Sequence, residues 1–385
     1  MMDRFEWTGP TQVVFGCGEV VRLPMWVGEL GRRVLVVTGR AGRAEDVVMM
    51  LKGAGATVTR FAVAGEPTIA MMEAGREVAR AAGCEWVLGL GGGAAVDAGK
   101  ALAALVTNTG PVLDYLEVIG KGRPLERLPL PFVAMPTTAG TGAEATRNAV
   151  LGCPERGVKV SLRHGWMLPR LALVDPELAV TVPPEVTATT GMDALTQLLE
   201  AWVGVRANPM TDALCREGIE RAVRSLRRVV ADGEDLAARS DMALAALLSG
   251  MALANAGLGA VHGFAAPVGG KWGIAHGAVC AALLPAVWEV NLAALRQRGE
   301  AAQLERFRQA ARWLTGRADA RAEEGVEWLR ELVRDLRIPG LAALGVTAGD
   351  WSDLIPLARR ASSMRGNPLE LTDEELIQCL ALASE

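Results

Sequence analysis

The chain has 385 residues, half of them hydrophobic and 22% charged, with 40 Lys and Arg against 44 Asp and Glu for a net charge of −4. That composition can bury a sizeable core, is not that of a disordered chain, and leaves room for two or three domains at about 150 residues each. No basic block stands out, so neither nucleic acid nor a membrane is expected as a partner. The first strand pattern is the β-branched run Arg33–Val37, ended by Thr38-Gly39. Thr57–Val63, Trp86–Leu90 and Leu130–Met135 follow, and Leu171–Val174 before Asp175-Pro176 is the last. Helical patterns such as Ile69–Ala82 lie between them, which implies βαβ units and a parallel sheet.

After Pro183-Pro184 the texture becomes helical: Glu185–Val203, Thr211–Ala231, Leu236–Ala256, Ala302–Leu314, Val326–Leu336 and Thr372–Ala383, with no convincing strand. The expected organisation is an α/β domain over 1–182 and an all-helical domain over 183–385. Met242–Gly270 carries no charge and exceeds the roughly 20 residues of a membrane span. It is rich in Ala and Gly and contains Asn255, His262 and Pro267. A helix buried on all sides of a helical domain is the expected reading.

The scarce residues exclude several chemistries. Tyr115 is the single tyrosine and has no Lys four positions on, which leaves little room for a Tyr/Lys proton-donor pair. No G-x-S-x-G elbow occurs. Cys17, Cys84, Cys153, Cys215, Cys280 and Cys379 are widely separated with no C-x-x-C, and read as small buried residues in a reducing compartment. The segment Met1–Glu6 lacks the apolar core of a secretory signal, so a cytoplasmic location is expected.

Two turns have the chemistry to hold a nucleotide. Trp86–Leu90 runs into Gly91-Gly92-Gly93 and then a helical pattern containing Asp97. Such a strand–glycine–helix junction lets the backbone approach a pyrophosphate and aims helix N–H groups at it. The same glycines could serve only tight packing. The turn follows the third strand pattern and lacks a P-loop Lys-Ser/Thr pair, so neither the standard Rossmann fingerprint nor a Walker loop matches. The second turn is Pro136-Thr137-Thr138-Ala139-Gly140-Thr141-Gly142, whose hydroxyls and amides suit phosphate and ribose oxygens. Its bland alternative is a helix start capped by Thr141.

In the helical half, Asp193 and Gln197 lie four apart on one face of an amphipathic pattern, with Glu200 not far round. His262 and His276 sit in apolar surroundings flanked by glycines, where a neutral, metal-bound or hydrogen-bonded imidazole fits better than a charged one. One Asp and two His would supply the three protein ligands typical of a catalytic zinc site, or be satisfied core residues. His164, between Arg163 and Gly165, reads as an exposed loop residue. Trp272, Leu195 and Met251 are candidate pocket residues.

These segments together resemble the iron-containing (group III) alcohol dehydrogenase family over essentially the whole chain. Its GGGSxxDxAK pattern stands here as GGGAAVDAGK (91–100), and its PTTAGTGSE as PTTAGTGAE (136–144). Its GxDAxxHxxEA helix stands as GMDALTQLLEA (191–201), and its two-histidine segment as HGFAAPVGGKWGIAHG (262–277). Smaller landmarks agree at Asp175-Pro176, Asn208-Pro209 with Asp212, and Asn367-Pro368. The resemblance implies a dehydroquinate-synthase-like fold with the active site in the cleft between its halves. It also implies an NAD(P)-dependent alcohol dehydrogenase or aldehyde reductase acting on a small alcohol or aldehyde, in a homo-oligomer (dimer or larger).

Carried over by position, Gly39, Gly91, Gly92, Gly93 and Asp97 would hold the cofactor with Thr137, Thr138, Thr141 and Lys159. Asp193, Gln197, His262 and His276 would take the metal, Fe2+ or Zn2+, and Asp193, His262 and His276 would act catalytically through it. Two positions depart from the family: Gln197 replaces a histidine ligand, and Ala266 replaces a histidine beside the nicotinamide, leaving protons to water or the cofactor ribose. Glycerol dehydrogenases, which are similar, use one Asp and two His. Thr38-Gly39-Arg40 has no acid to repel a 2′-phosphate, and Arg40 and Arg43 are near, so NADP is favoured over NAD. The alternatives are a metal-free enzyme resembling maleylacetate reductase, for which Gln197 is the motive, and a nucleotide-binding family member without catalysis.

Overall fold

The computed structural model describes residues 4–39 and 44–385. They form two compact units. A sheet unit comprises Gly9–Thr138 and Gly142–Val182, and a helical unit comprises Pro183–Glu385 with Ala139–Thr141 and the described residues up to Thr8.

The sheet unit contains strands β1 (Val13–Phe15), β2 (Arg33–Thr38), β3 (Thr57–Ala62), β4 (Trp86–Gly91), β5 (Phe132–Pro136), β6 (Asn148–Cys153), β7 (Val158–Arg163) and β8 (Leu171–Val174). Its helices are α1 (Met25–Leu30), α2 (Ala44–Gly53), α3 (Ile69–Ala81) and α4 (Gly93–Thr107). Six strands make a parallel sheet in the order β1-β8-β5-β4-β2-β3, and β6 and β7 form a separate antiparallel pair. The central strands read as unbroken apolar runs because both of their faces are covered. Val34, Val36, Trp86 and Leu88 point into one core with residues of α1 and α2. Leu35, Val37, Val87 and Phe132 point into the other with α3 and α4.

Short β1 and the β6–β7 hairpin escape the sequence pattern. β1 has only three residues, too few for an alternation to register, and the Gly152 and Cys153 end of β6 looks like a turn. Beyond Gly142, no long helix starts. A short 3-10 turn at Ala143–Ala145 leads into β6, and Gly142 rather than Thr141 stands at its start.

The helical unit contains α5 (Pro184–Val203), α6 (Pro209–Ala231), α7 (Leu236–Ala256), α8 (Ala260–Trp272), α9 (His276–Arg298), α10 (Ala301–Thr315), α11 (Ala322–Asp335), α12 (Trp351–Arg360) and α13 (Asp373–Ala383). Proline opens α5, where the missing N–H costs nothing. From Gly191 to Val203 every residue of α5 is buried, so this stretch is not the amphipathic surface helix that its sequence resembles. Its polar side chains are satisfied inside the core, as where Thr196 Oγ1 donates to the Met192 carbonyl.

The uncharged stretch 242–270 is two helices rather than one. α7 stops at Ala256, Gly257 takes a φ of 73°, and α8 begins at Ala260. α7 and α9 are long and apolar enough to cross a membrane by length and composition, and more than half of each apolar window is buried inside the protein.

Several landmark residues of the sequence turn out to be builders of the fold. Asp175 accepts the amides of Gly18 and Val20 (3.2 and 3.0 Å) and that of Glu177. Asn208 and Thr211 cap α6 reciprocally. Asp212 pairs with Arg306. Asn367 exchanges side-chain hydrogen bonds with Asn291 of α9 and accepts the Ala260 amide at the start of α8.

Candidate metal centre and nucleotide turns

In the helical unit, four donors from three helices converge. Asp193 lies midway along α5, His262 in the first turn of α8, His276 at the first position of α9 and Cys280 one turn further on. One atom from each lies within 4.8 Å of all the others. His262 Nε2 stands 3.2 Å from Asp193 Oδ1 and 3.7 Å from Cys280 Sγ. His276 Nε2 stands 3.7 Å from the same two atoms. Asp193, His262 and Cys280 are buried, and His276 is partly exposed.

Glu200, two turns after Asp193 on α5, orients this group. Its Oε2 accepts from His262 Nδ1 at 2.6 Å, which fixes the ring and turns Nε2 toward Asp193 and Cys280. Its Oε1 accepts the Val261 amide at 2.7 Å, in the first turn of α8 where a helix favours negative charge. The close approach depends on Gly259, because a Cβ there would meet Glu200 Oε1 at 2.9 Å and Asn367 Oδ1 at 3.0 Å.

The charges in the group act on one another. Burial alone would raise the Asp193 pKa, but His276 and His262 outweigh it and hold the carboxyl below its usual range. Burial would lower both imidazoles, yet the thiol and the carboxylates reverse that, lifting His262 well above its ordinary value and His276 to about 9. A buried pocket that draws protons onto two imidazoles is one whose field favours a cation, and a metal ion competes with those protons. A carboxylate, two imidazoles and a thiol also form a donor set suited to a divalent transition metal, so the residues fit one.

Gln197 sits one turn from Asp193, but both ends of its amide are engaged. Nε2 donates to the Thr141 carbonyl at 3.3 Å, and Oε1 accepts from Ser249 Oγ at 3.1 Å. Ala266 follows His262 by one turn of α8. Leu195 is fully buried and belongs to the core rather than to a pocket wall, whereas Met251 and Trp272 are partly exposed. Tyr115 is buried and its hydroxyl donates to the Thr109 carbonyl, a structural task. His164 is partly exposed and accepts the Trp166 amide through Nδ1. None of the six cysteines is in a disulfide, five are buried, and Cys17 is exposed, unlike the expectation for it.

In the sheet unit, Gly39, Gly91–Gly93 and Thr137-Thr138 lie at the carboxyl ends of the neighbouring strands β2, β4 and β5. Gly91 has a φ of 151°, and a Cβ on it would meet Ala95 at 2.8 Å and the Gly39 amide nitrogen at 3.4 Å. Only glycine allows the turn to pass so close. Thr137 N donates to the Gly91 carbonyl at 2.9 Å, and the Thr138 side chain lies 3.4 Å from where a Gly92 Cβ would stand. Gly92 is the N-cap of α4 and no side chain caps it, so the helix start presents backbone N–H groups. The helices that follow β2 and β4 pack on opposite faces of the sheet. The strand order therefore reverses at this point, where open α/β sheets form a ligand crevice.

Two expected cofactor residues are occupied nearby. Asp97 Oδ2 accepts the Val150 amide at 3.0 Å, and its other oxygen lies 3.7 Å from Lys100 Nζ. Lys159 on β7 pairs with Glu66 at 3.1 Å. Thr141 falls in the helical unit, where its carbonyl serves Gln197.

A doubly wound sheet with a phosphate-type turn, joined in sequence to a helical unit bearing a buried Asp/His/His/Cys group, defines a metal-dependent nucleotide-linked dehydrogenase. The chain matches the iron-containing alcohol dehydrogenase model over residues 10–176 and the Fe-containing alcohol dehydrogenase C-terminal model over 187–384. It therefore belongs to the iron-containing alcohol dehydrogenase family. It is 35% identical to choline dehydrogenase of Bacillus subtilis, over 95% of this chain and 91% of that one. Alcohol dehydrogenase 4 of Schizosaccharomyces pombe is 34% identical over 95% of this chain and 86% of its own. A solved 1,3-propanediol oxidoreductase superposes with a TM-score of 0.91 at 32% identity, covering 99% of this chain and 100% of that one. The protein is an NAD(P)-linked oxidoreductase of alcohols and aldehydes that works with iron or a similar divalent metal. Neither the metal-free nor the non-catalytic alternative is favoured by these relatives.

Proposed function

We propose that the chain interconverts small aldehydes and their alcohols in the cytoplasm, with NADP accepted at least as well as NAD, and that Asp193, His262 and His276 hold Fe2+ or Zn2+. The convergence of these three residues from three helices carries the reading. A divalent ion held there supplies Lewis-acid polarisation of the carbonyl oxygen and offsets the negative charge that develops on it. Asp193 contributes a full negative charge toward that ion, and Glu200 keeps His262 Nε2 correctly aimed. Gly91–Gly93 and the start of α4 take the cofactor phosphates, with Thr137 and Thr138 beside them. With alanine at 266, the proton passes through water or the cofactor ribose.

The NADP reading rests on the lack of an acidic side chain at Thr38 and Gly39. Arg40 and Arg43, which also motivate it, lie outside the described residues. Six cysteines, none of them in a disulfide, suit a reducing compartment. The chain is proposed to work as a homo-oligomer, a dimer or larger.

An aldehyde and alcohol panel run with NADH and with NADPH, each with chelator, iron or zinc, tests the reading. The expected result is aldehyde-dependent oxidation of both cofactors that chelator removes and a metal restores. NADPH binding without turnover across the panel would contradict it.

A further inference from the structure

We propose that Cys280 is a ligand of the metal, in the place that the family pattern gives to residue 197, so that the ion is held by Asp193, His262, His276 and Cys280. The proposal builds on the metal centre described above and concerns which of this chain's residues complete it.

The distances carry the argument. Zinc–ligand bonds of about 2.0–2.1 Å to nitrogen or oxygen and about 2.3 Å to sulfur set tetrahedral donor separations of about 3.3 Å for N to O and about 3.6 Å for N to S. The two N-to-O separations here are 3.2 and 3.7 Å. Both N-to-S separations are 3.7 Å. The sulfur thus stands toward the two imidazole nitrogens as a further donor would, and a substrate oxygen would enter as a fifth, as catalytic zinc sites allow. His276 and Cys280 are four apart on α9 and present their donor atoms from one face of the helix.

Gln197 has the weaker claim. Its carbonyl oxygen accepts from Ser249 and its NH2 is held by the Thr141 carbonyl. A neutral amide oxygen is also a poor donor to zinc or iron beside a thiolate. Cys280 binds as the thiolate, its proton leaving to solvent, and together with Asp193 it balances the two positive charges of the ion. A sulfur donor further tilts the site toward zinc or cobalt and away from iron.

The test uses the full-length protein loaded with cobalt(II), read by its absorption spectrum and by competition with a chromogenic chelator. Wild type and Gln197→Ala should bind cobalt and show a near-ultraviolet thiolate-to-cobalt charge-transfer band. Cys280→Ala, checked for folding by circular dichroism, should lose the band and bind cobalt on the order of 100-fold or more weakly, beyond the effect of an outer-shell change. Should Cys280→Ala fail to fold, the band in wild type and in Gln197→Ala still decides the matter. Cobalt bound by wild type without the band, or a band lost in Gln197→Ala and kept in Cys280→Ala, would overturn the Cys280 assignment and leave the metal centre standing. A wild-type protein that binds no cobalt would overturn both.

Discussion

His262→Ala is expected to abolish metal retention and to lower kcat/KM by about 1,000-fold or more, since polarisation of the carbonyl is worth several kcal/mol. The imidazole is the hub of the group. Its Nε2 faces Asp193 and Cys280, and its Nδ1 is locked by Glu200. Its removal takes away a donor and leaves Glu200 buried without the partner that balances it. Glu200→Gln should give a graded version of the same loss, about 10- to 100-fold in metal affinity, because the ligand survives but its orientation and basicity decline. Metal content after dialysis and steady-state kinetics on the same samples check both variants. Full metal content and wild-type rates in His262→Ala would show that the group does not hold the catalytic ion.

The second large effect is expected at a residue that is no candidate metal donor. Lys100 is almost wholly buried in the sheet unit, and its ammonium donates to the carbonyls of Ala143 and Asn148 and to Thr146 Oγ1, at 2.7–2.8 Å. Burial pushes its pKa down to about 8 and that of neighbouring Asp97 up to about 6. Lys100 ties α4, whose start carries the glycine turn, to the backbone that follows the threonine turn. Lys100→Ala removes those three bonds, opens a cavity and strands the Asp97 carboxylate, so it should destabilise the protein by about 3–5 kcal/mol. Urea unfolding measures this directly. A loss under about 1 kcal/mol, the size of an ordinary substitution, would contradict the anchoring role.

Much of the fold was legible because its signals are local. Val34 to Val37 read as a strand, and β2 lies in the parallel sheet between β4 and β3, buried on both faces. The helices of the second half also announced themselves by length. Where two elements compete over one apolar run, periodicity fails. Ala and Gly hide the break between α7 and α8, which depends on Gly257 and on side chains arriving from Glu200 and Asn367.

The candidate site divides the same way. Asp193, His262 and His276 are far apart in sequence, and the fold brings them together. Cys280 reads in the sequence as a small buried residue, and its position four after His276 on a helix is the one signal that joins it to the group. Gln197 is harder to read from position alone. It occupies a ligand's place in the pattern, while its amide is committed to Thr141 and Ser249, partners that no spacing rule reveals.

The central claim is that a divalent ion held by the Asp193, His262 and His276 group makes this chain an NAD(P)-linked alcohol and aldehyde oxidoreductase. Elemental analysis of protein purified without chelator, paired with NAD(P)H oxidation on the same sample, tests it most directly. The account predicts a stoichiometric divalent metal that is lost with activity on chelation and regained with it. Metal-free protein that turns over at the full rate and is indifferent to chelator would contradict it.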